Sequence, residues 1–306
     1  LGIWLLLALS PWIVASASAA QSVRTGEVSV ATTDQAAAFQ EAMRIALVRI
    51  TGRRDADQDP ALAPLLADAR RYVQIFRPVA GGGGIQVTLD AGAIERAVTA
   101  AGLSAWPRER PVALVVVLQP PPGADAVAVR RVLEDTASQR GLPVVLSSAQ
   151  SAGLASGADT AAALAAARRL GADVALLGQA DASGWRWVYH GAGGSETFSG
   201  ALSSGIHGAT DRLAEATQAV MQQPEQDALV QVSGVASLRD YAQVSRLLSG
   251  SAGVRVVSLL EAGNGVATYR VVARGGGDGL AAALSANSRL RPVTDASGRL
   301  AYQYQP

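Results

Sequence analysis

Three aspartates at alternate positions have the most chemically suggestive spacing in this chain, where residues 55–59 read Asp-Ala-Asp-Gln-Asp. Carboxylates spaced in this way open calcium-binding loops, because Ca²⁺ is coordinated by several oxygen atoms at once. An EF-hand loop also requires glycine at its sixth position and glutamate at its twelfth, where this chain has Pro60 and Leu66. The sequence therefore excludes an EF-hand. It favours a solvated loop whose charge is balanced by Arg53 and Arg54, with a looser calcium site as the alternative.

The chain has two histidines, His190 and His207, that could serve a hydrolase or a metal site. A serine hydrolase needs a base held against its nucleophile by a third group, and His190 lies near Ser195 and Glu196 in the sequence. Serine and acidic residues are common, however, and the Gly-x-Ser-x-Gly nucleophile elbow does not occur. We therefore predict that both histidines are surface or strand-end residues, with no catalytic site and no metal site.

A glycine-rich segment, Gly275–Gly279, lies between a predicted strand and a predicted helix, where phosphate-binding loops occur. The Gly-x-Gly-x-x-Gly fingerprint fails, because its last position is Leu280. The chain also has no lysine that could contact the phosphates of a nucleotide. We predict a flexible connection here and no cofactor.

Trp185, Trp187 and Tyr189 alternate along one predicted strand and therefore share one of its faces. This is a concentration of rings in a chain whose aromatic content is only 5%. The favoured interpretation is a core face that packs against a helix. The functional alternative is a binding surface for a peptide, glycan or protein partner, since amphipathic rings supply much of the energy of interfaces. These three residues are the candidate binding site of the sequence.

The composition excludes several chemistries. The 306 residues include no cysteine, and every one of the 26 basic residues is arginine. Thiolate catalysis, zinc–thiolate sites and Schiff-base lysines are therefore excluded. The net charge of +1 gives no overall field that would attract a nucleic acid or an anionic membrane. We predict a non-enzymatic protein without a nucleic-acid partner, and the oligomeric state stays open.

Residues 1–20 have the pattern of a secretory signal peptide. An apolar run, broken at Pro11, extends to Val14, and small residues follow it as far as Ala20. This run is shorter than the ~20 apolar residues that a transmembrane helix needs. We predict cleavage near Ala19 or Ala20, and a periplasmic protein with no stable membrane insertion after cleavage. An uncleaved N-terminal membrane anchor is the alternative.

The remaining sequence divides into three predicted domains, in line with its length. They are an N-terminal α+β domain over residues 21–108, a central α/β domain over 109–222 and a C-terminal ferredoxin-like α+β domain over 227–306. In the first of them, Asp34 is predicted to cap a helix that runs to Val48.

The central segment alternates strands and helices. Val112–Leu118 is a continuous apolar run, as in strands that are buried on both faces of a parallel sheet. Two further apolar strands, each preceded by a helix, predict right-handed crossovers and a mostly parallel sheet. Ligands of such sheets bind beyond the carboxyl ends of the strands. Four polar residues would then lie near a crevice: Gln119, Ser147, Ser148 and Gln179.

The C-terminal segment follows a predicted linker over residues 222–226. Its elements have the order β-α-β-β-α-β, which is typical of the split βαβ or ferredoxin-like arrangement. The fourth strand is predicted at Leu290–Val293, and a further strand is predicted at Leu300–Tyr304.

Several short phrases are spread over nearly the whole chain after residue 20: Ile50-Thr51-Gly52, Leu103-x-x-Trp106 with Arg110-Pro111, Leu176-Leu177-Gly178 before Trp185-Arg186-Trp187, and Val232-x-Gly234-Val235 with Asp240-Tyr241. Together they resemble an uncharacterised proteobacterial family, domain of unknown function 2066. The resemblance implies an exported envelope protein without an established activity, and it brings no catalytic residues.

From these observations we predict an exported protein that binds or scaffolds a protein or glycan partner in the cell envelope. The alternative is a small-ligand-binding protein that uses the carboxyl edge of the central sheet. An enzyme would need a cluster of acids, bases or metal ligands that only the fold could assemble.

Overall fold

The computed structural model describes residues 21–191, 193–251, 253–284, 287, 289–293 and 300–305. The predicted signal segment, residues 1–20, lies outside the described residues. Over the described part the protein has a mixed α/β fold, with one three-stranded sheet, two five-stranded sheets and a two-stranded ladder. None of its helices there is long and apolar enough to cross a membrane.

The N-terminal segment is a small antiparallel sheet with a long helix packed on it. Its three strands are antiparallel, and Ile85–Leu89 lies between Glu27–Val30 and Val73–Pro78. The elements are β1 (Gln21–Ser22), β2 (Glu27–Val30), α1 (Gln35–Thr51), α2 (Ala63–Ala67), β3 (Val73–Pro78), β4 (Ile85–Leu89) and α3 (Ala91–Ala100).

Helix α1 begins as the sequence predicts and ends later. The Asp34 carboxylate accepts a hydrogen bond from the Ala37 backbone N–H at 2.8 Å, which satisfies one of the free donors of the first turn. The helix continues past Val48 to Thr51 and stops at Gly52, which adopts the left-handed conformation with φ of 72°. That backbone conformation favours glycine, and it sets the end of the helix.

The central segment builds a five-stranded sheet in the order β10-β9-β8-β6-β7. Strands β6, β7 and β8 are parallel, as predicted, and β9 and β10 are added antiparallel to them. Its elements are β5 (Glu109–Arg110), β6 (Ala113–Gln119), α4 (Ala126–Arg140), β7 (Val144–Ser148), α5 (Ala149–Ala152), α6 (Thr160–Arg169), β8 (Val174–Asp181), β9 (Gly184–Gly191), β10 (Gly194–Gly200) and α7 (Ser204–Met221).

Two apolar layers cover the parallel part of this sheet. Val115 of β6 packs into a cluster with residues of α4 and α7, whereas Leu114 and Val116 pack into a second cluster with residues of α6. Successive residues of a strand point to opposite faces, so a strand buried on both sides is apolar throughout. This is the reason for the continuous apolar run that marked β6 in the sequence.

The C-terminal segment places two helices on one face of a five-stranded sheet. The strand order is β12-β13-β11-β15-β14. The predicted linker is shorter than expected, because β11 already starts at Glu225. The elements are β11 (Glu225–Ser233), α8 (Leu238–Ser249), β12 (Val254–Gly263), β13 (Val266–Arg274), α9 (Gly276–Leu284), β14 (Leu290–Val293) and β15 (Leu300–Tyr304).

The last strand sits at an unexpected place in this sheet. The split βαβ order predicts that Leu290–Val293, now β14, lies beside β11, but β15 occupies that position and pairs with β11 in parallel. β15 buries Tyr302 and Tyr304 in the core, whereas β14 buries only Leu290. The strand with more apolar surface to bury takes the inner place, and β14 becomes an edge.

Candidate functional site

The aromatic stripe of β9 faces the core. Trp187 is fully buried and Tyr189 is 7% exposed, while Trp185 is half-buried and stacks on Trp187 with ring centres 5.6 Å apart. The three rings belong to the apolar cluster that also contains Ile206 of α7. The structure thus brings the three candidate binding residues together, and it leaves only part of Trp185 open to solvent.

Two glycines make room for the Trp187 ring. A Cβ atom at Gly178 of β8 or at Gly205 of α7 would overlap the indole, so the ring lies directly between the two backbones. A ring held in this way fixes the spacing of sheet and helix. The packing explains why the sequence has glycine in the middle of a buried strand.

His190 is buried beside Thr160, on the strand that pairs with the strand of Ser195 and Glu196. Its Nδ1 atom lies 3.1 Å from the Thr160 hydroxyl, and burial lowers its pKa below the ordinary value. Ser195 lies opposite it in the β9–β10 register, but Glu196 bonds Arg212 instead. Adjacent residues of a strand point to opposite faces, so Ser195 and Glu196 diverge. Of the two predicted placements, surface or strand end, His190 takes the second: it is the second-last residue of β9 and is buried.

His207 lines an open cleft of about 370 Å³ between β10, α7 and the loop that follows α1. Its Nδ1 atom is buried without a hydrogen-bond partner among the described residues. Burial, with Arg140 and Arg54 nearby, lowers the pKa of His207 to about 4 although Asp211 opposes the shift. The imidazole is therefore neutral at pH 7.

Four of the five charged residues that line the cleft are already paired. The Asp211 carboxylate bonds Arg54 at 2.6 Å and Arg140 at 2.5 Å, and Glu196 lies 3.5 Å from Arg212. In the part of the chain that the structure describes, no hydrogen bond links His207 to a serine of the cleft, and no three metal-ligating side chains converge. Through Asp211 and its two arginines, the cleft links α7 to α4 and to the loop after α1.

The depressed pKa of His207 gives a testable pH dependence. The ordinary pKa of 6.5 applies in the unfolded chain, so below pH 6.5 the unfolded chain binds a proton that the folded chain does not. We expect the free energy of unfolding to be insensitive to this group above pH 6.5 and to fall between pH 6.5 and about 4. Urea unfolding across this range should show a shallower decline for His207→Gln. Equal slopes for the variant and the wild type would contradict the assignment.

The aspartate-rich loop pairs with one arginine. Arg53 bonds Asp55 at 3.1 Å and Asp59 at 2.7 Å, and these hydrogen bonds lower the pKa of both carboxyl groups. Arg54, which the sequence assigned to the same loop, points instead to Asp211 in α7. Arg53 thus balances only part of the charge of the loop, and Asp59 also caps the short 3₁₀ turn that follows.

Three buried arginines join the N-terminal and central segments. Arg49 of α1 donates to the Ser138 carbonyl at 2.7 Å and to the Glu27 carbonyl at 2.6 Å. Arg140 of α4 donates to the Gly52 carbonyl at 2.8 Å and bonds Asp211. Burial lowers the pKa of Arg49 to about 10, so its guanidinium stays charged at pH 7.

Arg110 is the centre of this junction and is fully buried. Its guanidinium donates to the carbonyls of Pro107 at 2.8 Å, Gly141 at 2.7 Å and Arg49 at 2.6 Å. It also lies 3.9 Å above the Trp106 ring, at cation–π distance. One side chain thus holds backbone groups of both segments, and burial lowers its pKa to about 9.

The glycine-rich segment 275–279 is part of a helix start. Helix α9 begins at Gly276, so most of the segment predicted to be a flexible connection is the first turn of this helix. Gly275 and Gly276 both have positive φ, and a Cβ at Gly279 would overlap the Arg274 carbonyl oxygen. The glycines therefore serve the tight turn from β13 into α9.

The carboxyl edge of the central sheet brings its predicted residues together. Gln119 lies opposite Gln179 in the β6–β8 register, and Ser147 and Ser148 end the neighbouring strand. The Gln179 side chain accepts a hydrogen bond from Arg186 at 3.0 Å, and the Ser148 hydroxyl caps α5. The Ser147 hydroxyl donates to the Ser148 carbonyl at 3.4 Å, so three of the four polar side chains are engaged within the fold.

An exposed apolar edge strand is the feature that the sequence did not single out. β12 lies at the end of its sheet, and Val256, Leu259 and Leu260 are 46%, 48% and 57% exposed. Soluble proteins usually protect such an edge, since its free N–H and C=O groups pair readily with another strand. Between Arg255 and Glu261 the strand is aliphatic except for Ser258, a pattern that buried strands share.

Comparison with known proteins adds one finding. A family model, Domain of unknown function (DUF8605), matches residues 17–107. The resemblance to domain of unknown function 2066 is therefore wrong, because the family that matches is a different one and covers only the N-terminal third. No curated protein and no solved structure matches the chain.

The DUF8605 match includes α1, the three-stranded sheet and α3. It ends at Pro107, whose carbonyl accepts a hydrogen bond from Arg110 of the junction. The three arginines of the junction were missed by sequence reasoning, because a charged residue in a helix or before a strand is usually solvated. One signal of a buried arginine was available in the sequence: Arg49 lies between two apolar residues, Val48 and Ile50.

Proposed function

We propose that this chain is a non-enzymatic binding or scaffolding protein of the cell envelope, exported to the periplasm and cleaved near Ala19 or Ala20. The observation that carries the proposal is the exposed apolar edge of β12. A ten-residue edge strand with three half-exposed aliphatic side chains would promote aggregation if nothing covered it. A partner that adds a strand to this edge or covers it removes that liability.

The organisation of the chain supports a scaffold of three domains. The N-terminal and C-terminal segments each have one apolar cluster of their own, and the central sheet has a cluster on either face. The buried arginines Arg49, Arg110 and Arg140 fix the first two segments to each other. We further propose that residues 225–305 are a variant of the ferredoxin-like fold with one added strand.

We prefer partner binding to the small-ligand alternative at the carboxyl edge of the central sheet. At that edge Gln179 and Ser148 already bond within the fold. The two cavities described lie elsewhere, one beside α7 and one beside α3. The aliphatic side chains at the edge of β12, in contrast, are exposed, and no described part of the chain covers them.

Site-specific photo-cross-linking in the native host tests the proposal. A photoreactive residue at Leu260 should give a discrete adduct with an envelope component, identified by mass spectrometry. The matched control is Val127 of α4, which is 74% exposed and lies in the central segment. The Val256→Asp substitution, which places a charge on the edge, should abolish the Leu260 adduct. No adduct, or the same adducts from both positions, would contradict the proposal.

A further inference from the structure

The two edges of the C-terminal sheet differ in how they are protected. β14 at one edge has only four residues and contains Pro292, which cannot donate a backbone hydrogen bond. β12 at the other edge has ten residues and no proline. Among the described strands it pairs with β13 alone, so its second side is open. The sheet is blocked at one edge and available at the other.

The sequence of β12 is symmetric about Ser258. Val257 and Leu259 flank it, then Val256 and Leu260, so residues at equal distance from the centre are both aliphatic. One step further out the charges are opposite. Arg255 lies three residues before Ser258, and Glu261 lies three residues after it.

An antiparallel pair of identical strands centred on Ser258 would match these residues. Val257 would lie opposite Leu259 of the second copy, and Arg255 opposite Glu261 of the second copy. By symmetry each pair occurs twice, because a two-fold interface uses the same patch on both chains. Directly opposite residues of unlike charge stabilise antiparallel strands, whereas like charges destabilise them.

The faces of the strand agree with this pairing. Val257 and Leu259 lie opposite Val271 and Tyr269 of β13, which belong to the buried face of the sheet. Glu261 lies opposite Thr268, on the other face. Opposing residues of a strand pair share a face, so the Val257–Leu259 pairs would extend the core side, whereas Val256 lies opposite Val272 on the open face.

Arg255 lies on the same open face as Glu261. Its guanidinium bonds Glu225 at 2.9 Å, and Glu225 is directly opposite Arg274 in the β11–β13 register. The Arg255 side chain is 70% exposed and can therefore contact a second carboxylate. Glu261 is exposed and has no ion-pair partner in the described part of the chain.

The irregularities of β12 limit the pairing to its centre. The register with β13 shifts between Val254 and Val256 and again between Leu259 and Glu261, while the residues between these shifts pair regularly. Bulges twist an edge and end the backbone ladder, so the Arg255–Glu261 pairs would meet through their side chains at the two ends of that ladder. Each chain has one open edge, and pairing uses it up. The blocked β14 edge cannot add a further chain, so the assembly closes as a dimer and does not grow into a fibre.

From the symmetry, the charges and the open edge we infer that the partner of β12 is a second copy of this chain, joined by antiparallel β12–β12 pairing about Ser258. This inference rests on the proposed function, in which β12 is the docking edge. The partner strand is then identical to β12, with an aliphatic centre and opposite charges at its two ends.

Sedimentation velocity of the purified chain from about 1 to 100 µM tests the inference. We expect a concentration-dependent dimer. Glu261→Arg places two arginines opposite each other at both ends, and Arg255→Glu places two glutamates there. Each single variant should dissociate about tenfold more readily than the wild type, because attraction becomes repulsion at two symmetric pairs. An equal mixture of the two variants restores both unlike pairs and should restore the dimer as a heterodimer.

Matched controls separate the interface from the fold. Glu225→Gln removes the internal partner of Arg255 and should leave the dimer unchanged. Circular dichroism melting of each variant verifies that it is folded. A monomeric wild type at 100 µM, or variants that do not recover on mixing, would overturn the self-pairing. If the Leu260 probe then still gives a specific adduct with another envelope component, the proposed function stands and only the identity of the partner changes.

Discussion

Trp187→Ala is expected to lower the free energy of unfolding by about 3–5 kcal/mol, the range for removing a fully buried large aromatic side chain. The ring is 0% exposed and lies between Gly178 and Gly205. These glycines have no side chains that could move in to fill the space, so the cavity would remain. Urea unfolding followed by circular dichroism measures the loss.

Trp185→Ala is the matched control for this prediction. Trp185 lies on the same strand face and stacks on Trp187, but it is only half-buried. We expect it to cost about 1–2 kcal/mol, because less apolar surface returns to water. The comparison also separates two roles of the stripe. If Trp187→Ala left stability unchanged and abolished the Leu260 adduct, the stripe would be a binding surface and not a core face.

Arg110→Ala is expected to be equally damaging, with a loss of about 3–5 kcal/mol. The substitution leaves three buried carbonyl groups without their donor and removes the cation–π contact with Trp106. Arg110→Lys should recover only part of the loss, because an ammonium group lacks the planar fork that reaches separate acceptors.

Arg108→Ala is the control for the junction. Arg108 is two residues away and bonds Glu95, but its side chain is 46% exposed. A surface ion pair of this kind contributes about 0–1 kcal/mol. Chemical unfolding of both variants checks the difference. Equal stabilities for Arg108→Ala and Arg110→Ala would show that the buried arginine does not join the two segments.

The elements that the sequence predicted correctly are those governed by local rules. Asp34 caps α1 because its side chain reaches an N–H three residues on, and β6 is apolar throughout because it is covered on both faces. The stripe of Trp185, Trp187 and Tyr189 shares a face because strands alternate with a period of two. Each of these conclusions needs no knowledge of distant parts of the chain.

The features that the sequence did not predict depend on distant partners. Arg49 bonds Ser138, 89 residues away, and Arg140 bonds Gly52, 88 residues away. The position of β15 between β11 and β14 follows from which strand buries more apolar surface in the assembled sheet. The edge position of β12 is also a property of strand order, so residues 254–263 looked like any other strand.

The central claim, that β12 is the docking edge of this protein, is tested most directly by the photoreactive probe at Leu260. We predict a discrete adduct in the envelope that is absent with the probe at Val127 and lost when Val256→Asp is added. An adduct of twice the mass of the chain would identify a second copy as the partner. No adduct at Leu260, or equal adducts at Leu260 and Val127, would contradict the claim.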